Sequence, residues 1–209
     1  MDDNNLPQKD LIKKIVDDAR GAVGIRLCAI GVDLGIFEDL AKNGPATSQE
    51  LADRVNLDER YLREWGLGMF SLGYLDFDKV SRKISLNKEF IPVLVEEGGK
   101  FSQKGLIEIL NSSLLPYHEL LNSFKNGGGI NYDKIDKGFW NGIDQTGCTR
   151  YRHFLVTDWV DKMPELKSRL ETGSVTFADF GCGSGRSTVE MAKKFPKSQF
   201  FGFDLFEPN

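Results

Sequence analysis

The chain of 209 residues is 40% apolar and 28% charged, which is the composition of a soluble globular protein rather than of a disordered or fibrous one. Its 27 basic and 31 acidic residues give a net charge of −4, so no overall positive field attracts it to nucleic acid or to anionic lipid. No apolar run approaches the roughly 20 residues that a membrane-spanning helix needs, so we expect no membrane partner.

The amino-terminal segment and the cysteines indicate a cytoplasmic protein. The segment MDDNNLPQKD is acidic and polar, unlike a signal peptide or an Arg-rich transit peptide. The cysteines Cys28, Cys148 and Cys182 are too few and too scattered for a disulfide framework or a zinc site. We therefore expect a reduced, cytoplasmic protein without a bound metal.

The first half of the chain begins with helical patterns. Apolar residues recur at helical spacing from Asp10 to about Asn43, and Gly31 and Gly35 favour a division of this stretch into two helices. Residues 47–50, Thr-Ser-Gln-Glu, form a capping box that begins the next helix, and Asp58 caps the helix after it.

The helix that follows Asp58 leads into a hairpin. Two short alternating runs at 74–77 and 83–86, joined by a polar segment, predict two antiparallel strands. The order of helix, turn, helix and hairpin is typical of a winged helix. The side chains that we expect on the buried face of the second helix are Tyr61, Leu62, Trp65, Met69 and Leu72.

The middle of the chain is less well marked. A helical pattern runs from Asn87 to about Phe124, and the polar, glycine-containing stretch from there to Gly147 reads as mostly irregular. A helical pair broken near Pro164 follows it. The triple glycine at 127–129 is either a lid over a substrate or a plain linker.

The last part of the chain predicts a strand, a helix and a second strand. Residues 174–180 are β-branched and aromatic, residues 181–185 form a glycine-rich turn, and residues 186–195 are helical. Residues 199–204 are a second strand. Such a βαβ unit has parallel strands and a right-handed crossover.

The glycine turn predicts a nucleoside ligand. Glycines between a strand and a helix let a ligand approach the backbone N–H groups at the helix N-terminus. Asp204, at the end of the second strand, can accept hydrogen bonds from both hydroxyls of a ribose. The spacing G-x-G-x-G, with Arg186 where a dinucleotide site has its third glycine, and the nearby Asp179 favour a ligand with an amino-acid end over NAD.

Residues 178–185, Ala-Asp-Phe-Gly-Cys-Gly-Ser-Gly, resemble the first motif of class I S-adenosylmethionine-dependent methyltransferases, and residues 195–204 resemble their second strand. Residues 59–65, and the triple glycine followed by Tyr132, are similar to a subgroup with an N-terminal winged-helix domain. The resemblance implies S-adenosylmethionine as cofactor, with the glycines around its methionine part and Asp204 on its ribose. The cofactor-binding residues that we expect are Asp179, Gly181, Cys182, Gly183, Gly185, Asp204 and Leu205.

The resemblance implies an α/β protein overall with three parts. These are a mainly helical winged-helix and dimerisation domain at 1–98, a helical, pocket-forming linker at 99–172, and the first βαβ unit of a Rossmann-like methyltransferase domain at 173–209. Because the family's catalytic sheet has more strands than these residues supply, we expect the N-terminal part of a methyltransferase. We expect no turnover and very weak cofactor affinity from this part alone.

The expected partners are a small molecule that accepts a methyl group on O, N or C, and a second copy bound through the N-terminal domain. One alternative is a non-enzymatic dimerising module with a vestigial cofactor motif. The other is a DNA-binding regulator, but the two helices of the helix-turn-helix carry more acidic than basic side chains, and only the wing is basic.

Few side chains are candidates for catalysis. His118 and His153 are the only histidines, and His153, beside Tyr151 and Arg152, is the better candidate for a base, with a surface or capping role as the alternative. Cys182 is either a redox thiol at a helix N-terminus or a small residue that fits the turn. Arg186 either meets the cofactor carboxylate or is a solvated residue of the first helical turn.

Overall fold

The computed structural model describes residues 8–114 and 116–205, and it has two compact units, one ending at Val95 and the other beginning at Glu96. The predicted three-part division at residues 98 and 172 stays a prediction. The first seven residues, which contributed to the argument against a targeting signal, lie outside the described residues. None of the described helices combines the length and the apolar composition that a membrane span requires.

The first unit contains four helices followed by the predicted hairpin. The two strands are antiparallel, with Leu75 opposite Leu86 and Phe77 opposite Ile84, which confirms the hairpin. A short 3₁₀ turn and one further helical turn follow it. The elements are α1 (Gln8–Asp33), α2 (Ile36–Asn43), α3 (Ser48–Val55), α4 (Glu59–Ser71), β1 (Leu75–Phe77), β2 (Ile84–Leu86), the 3₁₀ turn (Lys88–Phe90) and α5 (Ile91–Leu94).

Both predicted helix caps are present. The side chain of Thr47 accepts a hydrogen bond from the backbone N–H of Glu50 at 3.2 Å, and the Glu50 carboxylate accepts one from the N–H of Thr47 at 2.8 Å. The carboxylate of Asp58 accepts from the N–H of Tyr61 at 3.2 Å. These bonds use N–H groups that a first helical turn leaves without a partner, and so they fix where α3 and α4 begin.

The core of the first unit is built around Trp65 of α4. Its indole N–H donates to the carbonyl of Leu27 at 2.8 Å, and its ring lies 5.4 Å from that of Phe37. Leu62 and Met69 are buried on the same stripe, as predicted. The prediction for Tyr61 was wrong, because its side chain is 79% exposed on a different face of the helix.

The sequence predicts that Gly31 weakens the helix, but α1 continues through it. The missing side chain at Gly31 lets two aromatic rings reach the helix backbone. A Cβ added at Gly31 would lie 2.5 Å from Cε2 of Phe37 and 2.7 Å from Cζ2 of Trp65. The predicted division into two helices is confirmed at Gly35, which precedes α2 and has a φ of +66°. The positive φ is a conformation that glycine adopts without steric cost.

We expect Gly31→Ala to lower the free energy of unfolding by about 1–3 kcal/mol, because the two rings must move to admit a methyl group. Gly21→Ala is the matched control on the same helix, since a Cβ there meets no atom within 4 Å. It should be neutral or stabilise by up to about 1 kcal/mol. Urea unfolding of both variants measures this difference, and equal effects would contradict the packing role of Gly31.

The second unit is helical up to residue 172 and ends with the predicted strands. One long helix, α8, continues without a break from Arg150 into a segment with wider, π-type turns. The elements are α6 (Lys104–Ser113), α7 (Tyr117–Asn126), a 3₁₀ turn (Tyr132–Lys134), α8 (Lys137–Arg150), the π-type segment (Tyr151–Trp159), α9 (Pro164–Thr172), β3 (Thr176–Phe180), α10 (Arg186–Lys194) and β4 (Gln199–Phe203).

The expectation of irregular structure up to Gly147 was wrong, since α8 begins at Lys137 and contains the last part of that stretch. Asp136 caps this helix by accepting from the N–H of Gly138 at 2.8 Å. Gly138 and Gly142 are packing positions against α6, because an added Cβ would lie 2.5 Å from Oγ of Ser112 and 2.6 Å from the carbonyl oxygen of Gly105, respectively. These two glycines thus reflect two helices in close contact rather than a loop.

The strands β3 and β4 pair in parallel, with Thr176 opposite Gln199 and Phe180 opposite Phe203. Together with α10 they form the predicted strand, helix and strand. One face of this layer packs on the helices around a buried cluster, with Val175 and Phe200 against it. The fully enclosed members of the cluster are Val160, Leu170, Met191 and Phe195.

Candidate cofactor-binding site

The glycine turn at residues 181–185 lies at the carboxyl end of β3 and leads into α10. Gly181, Gly183 and Gly185 have φ values of +79°, +56° and +74°, a region that residues with side chains rarely adopt. A Cβ added at any of the three would meet no atom within 4 Å. The glycines are therefore required by the backbone conformation, and the space beside them is open.

The turn is tied to the end of β4. The carboxylate of Asp204 accepts from the N–H of Gly183 at 2.7 Å, and the carbonyl of Phe203 accepts from the N–H of Gly181 at 2.7 Å. Cys182 packs over Gly202, where an added Cβ would lie 2.9 Å from the Cys182 Sγ atom. In this arrangement Cys182 fills the narrow space between the turn and the strand.

A second carboxylate holds the turn from the other side. Asp144 of α8 accepts a hydrogen bond from the hydroxyl of Ser184. It also accepts two from Arg186, at 3.2 Å from Nε and 3.0 Å from Nη2. Sequence patterns do not mark Asp144, because its neighbours resemble an irregular segment and nothing near it in the chain indicates that its side chain faces the turn.

Asp144 and Arg186 form an ion pair at neutral pH. Partial burial raises the pKa of the Asp144 carboxyl, but the hydrogen bonds from Arg186 and Ser184, together with the charge of Arg186, outweigh it and hold that pKa below its ordinary value. The hydrogen bond with Asp144 raises the pKa of the Arg186 guanidinium. Arg186 is thus a paired residue at the turn, not a freely solvated one.

The third acid near the turn, Asp179, faces the first turn of α10. Its Oδ2 atom accepts from the hydroxyls of Ser187 at 2.8 Å and of Thr188 at 3.0 Å. Asp179 is not among the side chains that line the cavity beside the turn. In this structure its carboxylate joins β3 to α10.

The glycine turn forms one side of a cavity of about 930 Å³. Its volume falls within the roughly 300–1,000 Å³ that is usual for small-molecule sites. Gly181, Cys182, Gly183, Asp204 and Leu205 line it, so the structure brings together five of the seven predicted cofactor-binding residues, without Asp179 and Gly185. The remaining lining residues are Tyr132, Trp140, Ile143, Asp144, Gly147, Tyr151, Phe180, Ser184, Arg186 and Phe203.

The aromatic part of this cavity comes from segments that precede the glycine motif and from the ends of the two strands. The rings of Tyr132 and Trp140 meet edge to face at 4.8 Å between centroids, and Tyr151 lies where α8 passes into the π-type segment. Phe180 and Phe203, at the ends of the two strands, stack at 5.2 Å. Apolar lining with a small number of charged and hydrogen-bonding groups is the usual construction of a small-molecule site.

The two histidines lie away from this cavity. The His153 Nε2 atom donates to the carbonyl of Gly98 at 2.9 Å, and the imidazole is not among the lining groups. His118 lines a different, smaller depression beside the triple glycine. The structure therefore does not bring the histidine candidates for a base to the glycine turn.

We expect Asp179→Ala to lower the free energy of unfolding by about 1–3 kcal/mol, because two partly buried hydroxyls lose their acceptor. Asp161→Ala is the control, since Asp161 is an exposed carboxylate 2.8 Å from Lys167, and its loss should cost at most about 1 kcal/mol. Urea unfolding compares the two variants. Equal stabilities would contradict a structural role for Asp179.

Residues 21–95 match the family model described as the Rv2258c-like winged HTH domain. This match agrees with the order of helices and hairpin in the first unit and confirms the predicted winged helix. No curated protein matches the sequence.

Solved structures share the fold across both units. PigF with SAH is 15% identical, with a TM-score of 0.63, and the match covers 97% of this chain and 60% of that one. The mitomycin 7-O-methyltransferase MmcR is 17% identical at a TM-score of 0.57, covering 94% and 58%. Human N-acetylserotonin methyltransferase in complex with SAM is 16% identical at a TM-score of 0.57, covering 99% and 62%.

The chain therefore spans about 60% of the length of the solved structures that it matches. At these identities the likeness establishes the fold. Residues 21–95 form a winged helix-turn-helix domain of the Rv2258c-like type, and the chain has the fold of the corresponding part of S-adenosylmethionine-dependent O-methyltransferases.

Proposed function

We propose that this chain carries the cofactor-binding site of an S-adenosylmethionine-dependent methyltransferase that acts on a nucleophilic O, N or C of a small molecule. The observation that carries the proposal is the cavity beside the glycine turn, where Asp204 lies at the end of β4. The fold shared with methyltransferases supports it.

The residues present fit an adenosyl amino acid. A Cβ at Gly181 or Gly183 would meet only open space, so a ligand can approach the turn backbone closely. A carboxylate accepts several hydrogen bonds, so Asp204 can keep the N–H of Gly183 and still receive hydroxyls of a ribose. The aromatic wall around Tyr132 and Trp140 offers flat apolar surface to the rest of the ligand.

Methyl transfer depends mainly on the positioning of the two reactants. When bound, the cofactor supplies an electrophilic methyl group on a sulfonium, and the acceptor must approach in line with the bond that breaks. Holding two reactants in that geometry supplies much of the rate enhancement in such reactions. The placement of His153 outside the cavity therefore does not count against the proposed reaction.

We expect S-adenosylhomocysteine to bind the chain weakly and to shift the amide resonances of residues 181–185 and of Asp204 in an NMR titration. Asp204→Ala should weaken binding by about tenfold or more, because the ribose loses a charged acceptor. Glu190→Gln, on α10 and paired with Lys193 at 3.1 Å, is the control. Shifts spread evenly over the chain would contradict the site, and micromolar affinity would contradict the expected weakness.

A second candidate, a dimerising module, is favoured by one surface in the first unit. The helix α1 exposes an apolar stripe between residues 11 and 23, and monomers rarely expose extended apolar patches. A second copy could cover the stripe through the same helix. Its residues, between 49% and 68% exposed, are Leu11, Ile12, Ile15, Val16 and Val23.

We expect light scattering to find a dimer of the unmodified chain, and we expect the double variant Ile12→Glu/Ile15→Glu to be monomeric, since it places two charges on the stripe. Lys9→Ala, on the same exposed helix, is the control and should remain dimeric. A monomer of the unmodified chain at high concentration would count against the dimer.

The DNA-binding alternative has little support in the charges of the first unit. Arg63 of α4 donates to Glu59 at 3.2 Å, and Lys83 of the wing lies 3.4 Å from Glu50. Phosphate contacts by basic side chains provide most of the affinity for DNA. Basic groups that already face carboxylates offer little of that affinity.

A further inference from the structure

The ion pair between Asp144 and Arg186 lines the same cavity as the glycine turn. Arg186 directs its Nε and Nη2 atoms at Asp144, and its side chain is still 51% exposed. A guanidinium has five N–H donors in a plane, so two bonds to Asp144 leave further donors on its other edge. Asp144 is 29% exposed, so both charges are accessible from the cavity.

An adjacent cation and anion are the charge complement of an α-amino acid. The α-carboxylate matches the fork of an arginine, and the α-ammonium matches a carboxylate. An ion pair this exposed contributes only about 0–1 kcal/mol, so a ligand that shares or replaces its charges meets little resistance. The hydroxyl of Ser184, which donates to Asp144, lines the cavity beside this ion pair.

We propose that Asp144 and Arg186 together recognise the amino-acid end of the cofactor, with Arg186 on the α-carboxylate and Asp144 on the α-ammonium group. The assignment rests on the proposed function, because it concerns the same cavity. It makes Asp144, which lies outside the glycine motif, a specificity-determining residue. The pair then selects nucleosides that carry an amino acid over those that lack one, while Asp204 binds the ribose of both.

A purely structural role of Asp144 makes a different prediction. If Asp144 only held the glycine turn through Ser184 and Arg186, its loss would disorder the turn. Every nucleoside that binds there would then lose affinity to the same extent. The two roles are separated by comparing a ligand that has the amino acid with one that lacks it.

The test is an NMR titration of the 209-residue chain with S-adenosylhomocysteine and with 5′-deoxy-5′-methylthioadenosine, the matching thioether without the amino acid. We expect the unmodified chain to prefer S-adenosylhomocysteine by about tenfold or more. Asp144→Asn and Arg186→Gln should each reduce this preference by about tenfold while the Kd of methylthioadenosine stays unchanged. Asp158→Asn, which removes a surface carboxylate 3.5 Å from Lys162, is the control and should keep the preference.

Equal weakening of both ligands, or a preference that survives in both variants, would overturn the assignment. Equal affinities of the unmodified chain for the two ligands would overturn it while leaving the proposed nucleoside site in place. Failure of both ligands to bind would overturn the proposed function and the assignment with it. If Asp144→Asn does not fold, Arg186→Gln at its half-exposed position decides the outcome.

Discussion

The glycine turn at residues 181–185 depends on hydrogen bonds that join its backbone to the end of β4. Its three glycines adopt left-handed conformations and contribute no packing of their own. The carboxylate of Asp204 accepts from the N–H of Gly183, and the carbonyl of Phe203 accepts from the N–H of Gly181. Charged hydrogen bonds are stronger than neutral ones, so a few of them can order a backbone that packing leaves open. The space beside the turn can then remain empty for a ligand.

Sequence patterns predicted the features that depend on residues close together in the chain. The caps at Thr47 and Asp58 join atoms three residues apart, and the strand, turn and helix around Gly183 follow from local composition. The same local information marks where a nucleoside site begins. These features form from short-range hydrogen bonds and backbone preferences, which a sequence displays directly.

The features that sequence patterns could not predict depend on partners far along the chain. Asp144 bonds to side chains 40 and 42 residues later, and nothing in its neighbours marks it as part of the site. Glycine carries the same ambiguity. Gly31 and Gly142 are needed because another chain segment lies against them, whereas Gly183 is needed for its φ value. The sequence shows that a glycine is present, but it does not show whether the glycine is needed for close packing or for a positive φ.

The π-type turns at residues 151–159 allow one continuous helix to contribute both to the cavity, through Asp144, and to the core. Asp144, before the segment, and Tyr151, at its start, line the cavity, whereas Leu155 and Val156 within it pack on the core beneath β3 and β4. A helix with wider turns advances its side chains by a smaller angle per residue than an α-helix does. The segment therefore sets the angle about the helix axis between the side chains that line the cavity and those that pack in the core.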